Sequence, residues 1–121
     1  MLGNIEYLRA TAHLMIGETA EAEQCIGKAE SFFKDKARAV KVFALYGKLA
    51  ERKRDLLTAK DAYRGGLTEA KRLDRRDEVL RNMLGLHRVA AAEGDRRTVK
   101  HLKGKIDRML KTVPLPFEEK I

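Results

Sequence analysis

One helical hairpin is written three times along this chain, and that repetition limits the fold more than any other feature. With Ala22, Ala59 and Val99 aligned, each is preceded by a turn, at Gly17-Glu18, Arg54-Asp55 and Gly94-Asp95. Each is followed half a helix later by a small residue: Gly27, Gly65-Gly66 and Gly104. Upstream, Ala10, Gly47 and His87 stand at matching places, and the spacings are 37 and then 40 residues. A unit of this length with only helical text cannot bury its apolar face alone, so its copies stack on one another. Stacked helix pairs supply a binding surface more readily than a catalytic pocket. A glycine inside a helix costs about 1 kcal/mol against alanine, and close approach of a neighbouring helix is the expected compensation.

Caps and apolar spacing place six helices. Asn4 can cap the first, whose apolar positions include Ile5, Leu8, Ala12 and Met15, and Gly17 ends it. Thr19 opens the second, with Ala22, Cys25, Ile26, Ala29 and Phe33. Asp35 opens the third, with Ala39, Val42, Phe43, Tyr46, Leu49 and Ala50. Asp55 opens the fourth over Leu56, Ala59, Tyr63 and Leu67. Asp74 or Asp77 opens the fifth, with Leu80, Met83, Leu84, Leu86 and Ala90. Asp95 opens the sixth over Val99, Leu102, Ile106 and Met109. The links are short, so successive helices pack antiparallel. The expected organisation is one all-α domain over 1–112, with hairpins at about 4–34, 35–73 and 74–111. Pro114 and Pro116 bar helix from the remaining 113–121 tail, which either caps the last hairpin or serves as a linker.

Composition bears on partners and compartment. The 121 residues carry a net charge of +8, unevenly spread. Residues 1–33 set Arg9 and Lys28 against Glu6, Glu18, Glu21, Glu23 and Glu30; residues 96–111 set seven cations against Asp107. Such polarity favours an acidic partner or a polyanion. Cys25 is the single cysteine and lies on an apolar stripe, so a buried structural thiol is expected, with neither disulfide nor zinc quartet. No basic, apolar leader is visible at the start, and no run approaches the ~20 apolar residues of a membrane span. A reducing cytoplasm is the default expectation, with no membrane partner.

The repeat resembles the tetratricopeptide repeat, in a long-period form. The middle unit carries the resemblance best: Phe43, Tyr46, Gly47 and Ala50 in its first helix, Ala59, Tyr63 and Gly66 in its second. The first unit offers Ala10, Gly17, Ala22, Ile26 and Ala29; the third offers Leu86, Ala90, Gly94, Val99 and Ile106. The unit-closing proline of the motif is absent, Glu6 and Met83 stand where an aromatic is usual, and the period exceeds the usual ~34 residues. The resemblance implies a right-handed stack of three antiparallel hairpins whose first helices line a concave groove. On that pattern Lys41 and Lys48 in unit two, and Arg81 and Arg88 in unit three, form a basic quartet; Asn4 and Thr11 hold the equivalent places in unit one. Tyr7, Leu45 and Leu84 would form an apolar floor, and the occupant would be an acidic or amphipathic protein segment. Leu8 and Thr11 or Ala12 stand where a chaperone-tail clamp needs Lys and Asn, so that ligand is not implied.

Two alternatives to the groove belong to other classes. Arg96, Arg97, Lys100, Lys103 and Lys111 on the last helix form a surface suited to nucleic-acid phosphates, though without aromatics for base stacking. Stacked ends lacking polar caps would promote self-association. Catalysis has little support. His13, His87 and His101 fall on separate helices without metal-ligand spacing, no nucleophile–base pair is apparent, and no cofactor motif is present. The expectation is a non-enzymatic interaction module.

Overall fold

A computed structural model describes residues 2–32 and 36–111, the side chains of 2–5, 31–32 and 36–39 excepted. The protein is all-α. Among the described residues six helices follow one another: α1 (Leu2–Met15), α2 (Thr19–Phe32), α3 (Lys36–Arg52), α4 (Leu56–Arg72), α5 (Arg76–Glu93) and α6 (Arg96–Leu110). The Asp35 cap, Phe33 and the 113–121 tail lie outside the described residues.

Four of the connections share one chemistry. Gly17, Arg54, Asp74 and Gly94 take positive φ, with 84°, 63°, 53° and 75°. The amide of the following residue reaches back across the turn: Glu18 to His13, Asp55 to Ala50, Arg75 to Ala70 and Asp95 to Ala90. This satisfies carbonyls that a helix end otherwise leaves unpaired, and the following residue already opens the next helix. Asp55 and Asp95 do so in the same way, each accepting from the amide and hydroxyl of a threonine three residues on, Thr58 and Thr98. Those hydrogen bonds hold both carboxyls below the usual carboxylate range. Three caps differ from expectation. Thr19 is already inside α2, whose first amide bond goes from Ala22 back to Glu18. Asn4 lies inside α1, which starts at Leu2. The cap of α5 is Arg75, because Asp74 is the left-handed turn residue and Asp77 falls in the first turn.

Successive helices pack on each other, and in addition α1 touches α3 and α3 touches α5. Among the described residues α2, α4 and α6 do not touch one another. The first helices therefore lie side by side and the second helices splay outward. The core is strung along this row. One cluster joins Ala10, Leu14, Ile26, Leu45 and Leu49; another gathers Ala44, Ala59, Tyr63 and Val89; a third joins Val40, Ala70, Leu80, Met83, Leu102 and Ile106. The longer second period follows from α4, which has 17 residues where α2 has 14.

The inward face of α1 differs from the expected one. Ala10 and Leu14 are buried, together with Glu6, while Leu8, Ala12 and Met15 face outward. Glycine usage also differs. An added Cβ at Gly27 or Gly104 would meet nothing, so these residues mark no close crossing. The close approaches are at Gly47 and Gly85, both against the ring of Tyr63, and at Gly66, against Asn82 and Phe43. Tyr63 is fully buried and serves as the spacer between α3, α4 and α5.

Candidate partner-binding site

The side-by-side first helices enclose a depression of about 820 Å³. Thr11, Leu14 and Met15 of α1 form one wall; Lys48, Glu51 and Arg52 of α3 form the base, continued by Arg54 and Leu56; Arg88 and Ala92 of α5 close the other side. Four cations thus stand against the single carboxylate of Glu51, over an apolar lining of Leu14, Met15, Leu56 and Ala92.

Its charges are not equally available. The Arg88 guanidinium donates to Glu51 Oε1 at 3.2 Å and to the Tyr63 hydroxyl at 3.1 Å, and lies 5.9 Å from the Tyr63 ring centroid. Tyr63 donates its hydroxyl to Glu51 at 2.6 Å. Burial, reinforced by Glu51, raises the Tyr63 phenol so far that it remains a donor throughout the ordinary pH range. Arg52 and Arg54 are exposed and form no ion pair among the described residues. They are the cations from which a ligand would displace only water.

The expected quartet does not act as one group. Lys48 and Arg88 line the depression, whereas Lys41 and Arg81 gather at the other end of the first helices. There Lys41 Nζ sits 5.7 Å from the Tyr7 ring centroid, and Arg81 Nη1 donates to the Tyr7 hydroxyl at 2.9 Å. The same guanidinium lies 3.4 Å from Glu78 Oε1. Glu78 is fully buried, and that burial raises its pKa despite the guanidinium. Lys41, Arg81 and Tyr7 thus form an internal polar knot joining α1, α3 and α5. Leu45 cannot be a groove floor, being 1% exposed in the core between hairpins one and two, and Leu84 packs against the last core cluster.

The repeat pattern is written in helix interiors, whereas Arg52 ends α3 and Arg54 stands in the turn after it. A sequence signal existed: Gly17 and Gly94 hold the turn position that Arg54 holds in the middle unit.

Arg96, Arg97, Lys100 and Lys103 on α6, and Lys111 at its C-cap, are all exposed. Arg96, Lys100 and Lys103 border a shallower depression of about 450 Å³ with Ala91, Gly94 and Val99. Cys25 is buried, and burial followed by its hydrogen bond to Glu6 raises the thiol pKa, which disfavours the thiolate. Among the described residues no group of three His, Cys, Asp or Glu is placed to hold a metal, and no helix is long and apolar enough to cross a membrane. No protein-family model matches the chain, and neither a curated protein nor a solved structure is significantly similar to it.

Proposed function

We propose that this protein is a non-enzymatic adaptor of the tetratricopeptide-like kind, a right-handed stack of hairpins that docks an acidic, amphipathic protein segment across its first helices. The observation that carries the reading is the 820 Å³ depression, in which Lys48, Arg52, Arg54 and Arg88 surround apolar Leu14, Met15, Leu56 and Ala92. A segment pairing carboxylates with a leucine or phenylalanine satisfies both halves of that lining. Lys41, over the Tyr7 ring, and Arg81, ion-paired to Glu78, are not part of this site.

Titration of labelled acidic amphipathic peptides, followed by anisotropy, tests it. Micromolar binding should weaken as salt rises and should weaken about tenfold or more in an Arg52→Glu/Arg54→Glu variant. Binding unaffected by that double reversal would dismiss the depression as the site. A second reading has its own observation: the exposed Arg96, Arg97, Lys100 and Lys103 of α6, with Lys111 at its C-cap, fit a nucleic-acid backbone. Retention of single- or double-stranded nucleic acid, lost on charge reversal at Lys100 and Lys103 but not at Arg52 and Arg54, would favour it instead.

A further inference from the structure

The turns give a strict register between hairpins, since Gly17, Arg54 and Gly94 occupy one structural position. In that register Leu8 and Ala12 of α1 correspond to Leu45 and Leu49 of α3 and to Gly85 and Val89 of α5. Leu45 and Leu49 are 1% and 5% exposed, packed with Ala10, Leu14 and Ile26 of the preceding hairpin. Gly85 and Val89 are buried with Tyr63 of the hairpin before theirs. In the first hairpin the same stripe stands open: Leu8 is 65% exposed and Ala12 is exposed, and beside them Met15 and Ile16, at the places of the exposed Arg52 and Lys53 that edge the next junction, are each 69% exposed. It is the surface by which one hairpin joins another, without a counterpart among the described residues.

Two features say what covers it. Each internal junction is edged by an ion pair, Glu23–Lys53 at 3.0 Å and Lys60–Glu93 at 2.9 Å. The α1 residue at the place of Lys53 and Glu93 is Ile16, so this stripe has no charge awaiting an opposite one and is complementary to itself. The other end of the row is closed. Lys103 occupies the place of the fully buried Ile26 and Tyr63, and Lys100 that of Glu23 and Lys60. Head-to-tail stacking would bury the Lys103 ammonium in a position written elsewhere for an apolar side chain, at heavy desolvation cost. One open and one closed end give a closed pair rather than a filament.

We infer that a second copy of this chain docks on the Leu8–Ala12–Met15–Ile16 face, α1 against α1, antiparallel about a two-fold axis at Ala12. Leu8 then meets Ile16 of the other copy, and the small Ala12 allows close approach at the axis. Met15 borders both this face and the binding depression, so the pair sets two depressions next to each other.

Sedimentation equilibrium over a concentration series tests this on the full chain. The wild type should be dimeric, and Leu8→Glu should weaken the dimer by about tenfold or more with its helical circular dichroism unchanged. Lys103→Glu should leave the dimer as it is. Ala12→Cys, in a Cys25→Ala background, should cross-link to itself under mild oxidation. A wild type that stays monomeric at hundreds of micromolar overturns the inference. So do assemblies larger than a dimer that respond to Lys103, or failure of the Ala12→Cys protein to cross-link.

Discussion

At the residue scale, the glycines separate into two kinds that only their surroundings distinguish. A Cβ at Gly85 would overlap the Tyr63 ring, while one at Gly104 would meet nothing. Both sit inside helices, where alanine is favoured by about 1 kcal/mol. Gly104→Ala should therefore stabilise the protein by roughly that amount. Gly85→Ala should destabilise it by about 1–3 kcal/mol, because a fully buried ring between three helices has no room to retreat. Urea denaturation of the two variants reads both signs, and equal signs would refute the packing account. Glu78 supplies a pH-dependent term. Its pKa is raised in the folded state by burial, so the fold binds its proton more tightly than the unfolded chain does. Its contribution is therefore fullest below the unfolded value of about 4.3 and is lost as pH rises through the folded value. A Glu78→Gln variant should gain stability relative to wild type as pH increases across that window. Parallel titration curves for the two proteins would show that the carboxyl carries no such linkage.

At the scale of the element, the inter-helix turn is the most regular device in the molecule, and its irregular member is informative. Arg54 and Asp74 adopt left-handed backbone that glycine occupies at lower cost, and glycine holds the position of Arg54 in the first and third hairpins. Arg54 also lines the depression, so its side chain gives a reason to keep the cost. Arg54→Gly is expected to stabilise the fold by up to about 1 kcal/mol while lowering affinity for an acidic peptide. Asp74→Gly, away from the depression, should change stability alone. Thermal melts and peptide titrations of the pair decide this, and a fully active Arg54→Gly protein would remove Arg54 from the site. The two junction ion pairs repeat the logic with reversed polarity: acid on α2 and base just past the end of α3 at the first, base on α4 and acid on α5 at the second. A sequence comparison of the units sees this only as a mismatch of charges.

At the scale of the whole molecule, the row of first helices produces a shared surface that no single hairpin contains. Glu51, the one carboxylate among the described residues lining the depression, pairs with Arg88 and accepts the Tyr63 hydroxyl. Glu51→Gln preserves an acceptor for Tyr63 while removing a negative charge from a basic site. Affinity for an acidic amphipathic peptide should rise a few-fold, by about 0.5–1 kcal/mol, in a low-salt titration. An unchanged or weaker affinity would mean that acidic ligands do not approach Arg88.

The six helices, their order and most of their turns follow from local chemistry: aspartates with threonine three residues on, glycines at positive φ and apolar residues at helical spacing. Those signals act within a few residues and so are legible in the chain. The sense in which each face turns is not local. Leu8, Ala12 and Met15 have the spacing of a buried stripe, yet Ala10 and Leu14 are the inward residues, because α2 and α3 cover that side of α1. The basic residues behave alike. Charge and helical register place Lys41, Lys48, Arg81 and Arg88 on the first helices, but which of them meet solvent depends on Tyr7, Glu51 and Tyr63, brought from distant parts of the chain, and on Glu78 one turn before Arg81. Sequence by itself determined the repeated helical hairpin and its polarity of charge. Tertiary packing decided which cations are tied up within the protein and which face the depression, because an ion pair between helices is fixed by where their backbones cross.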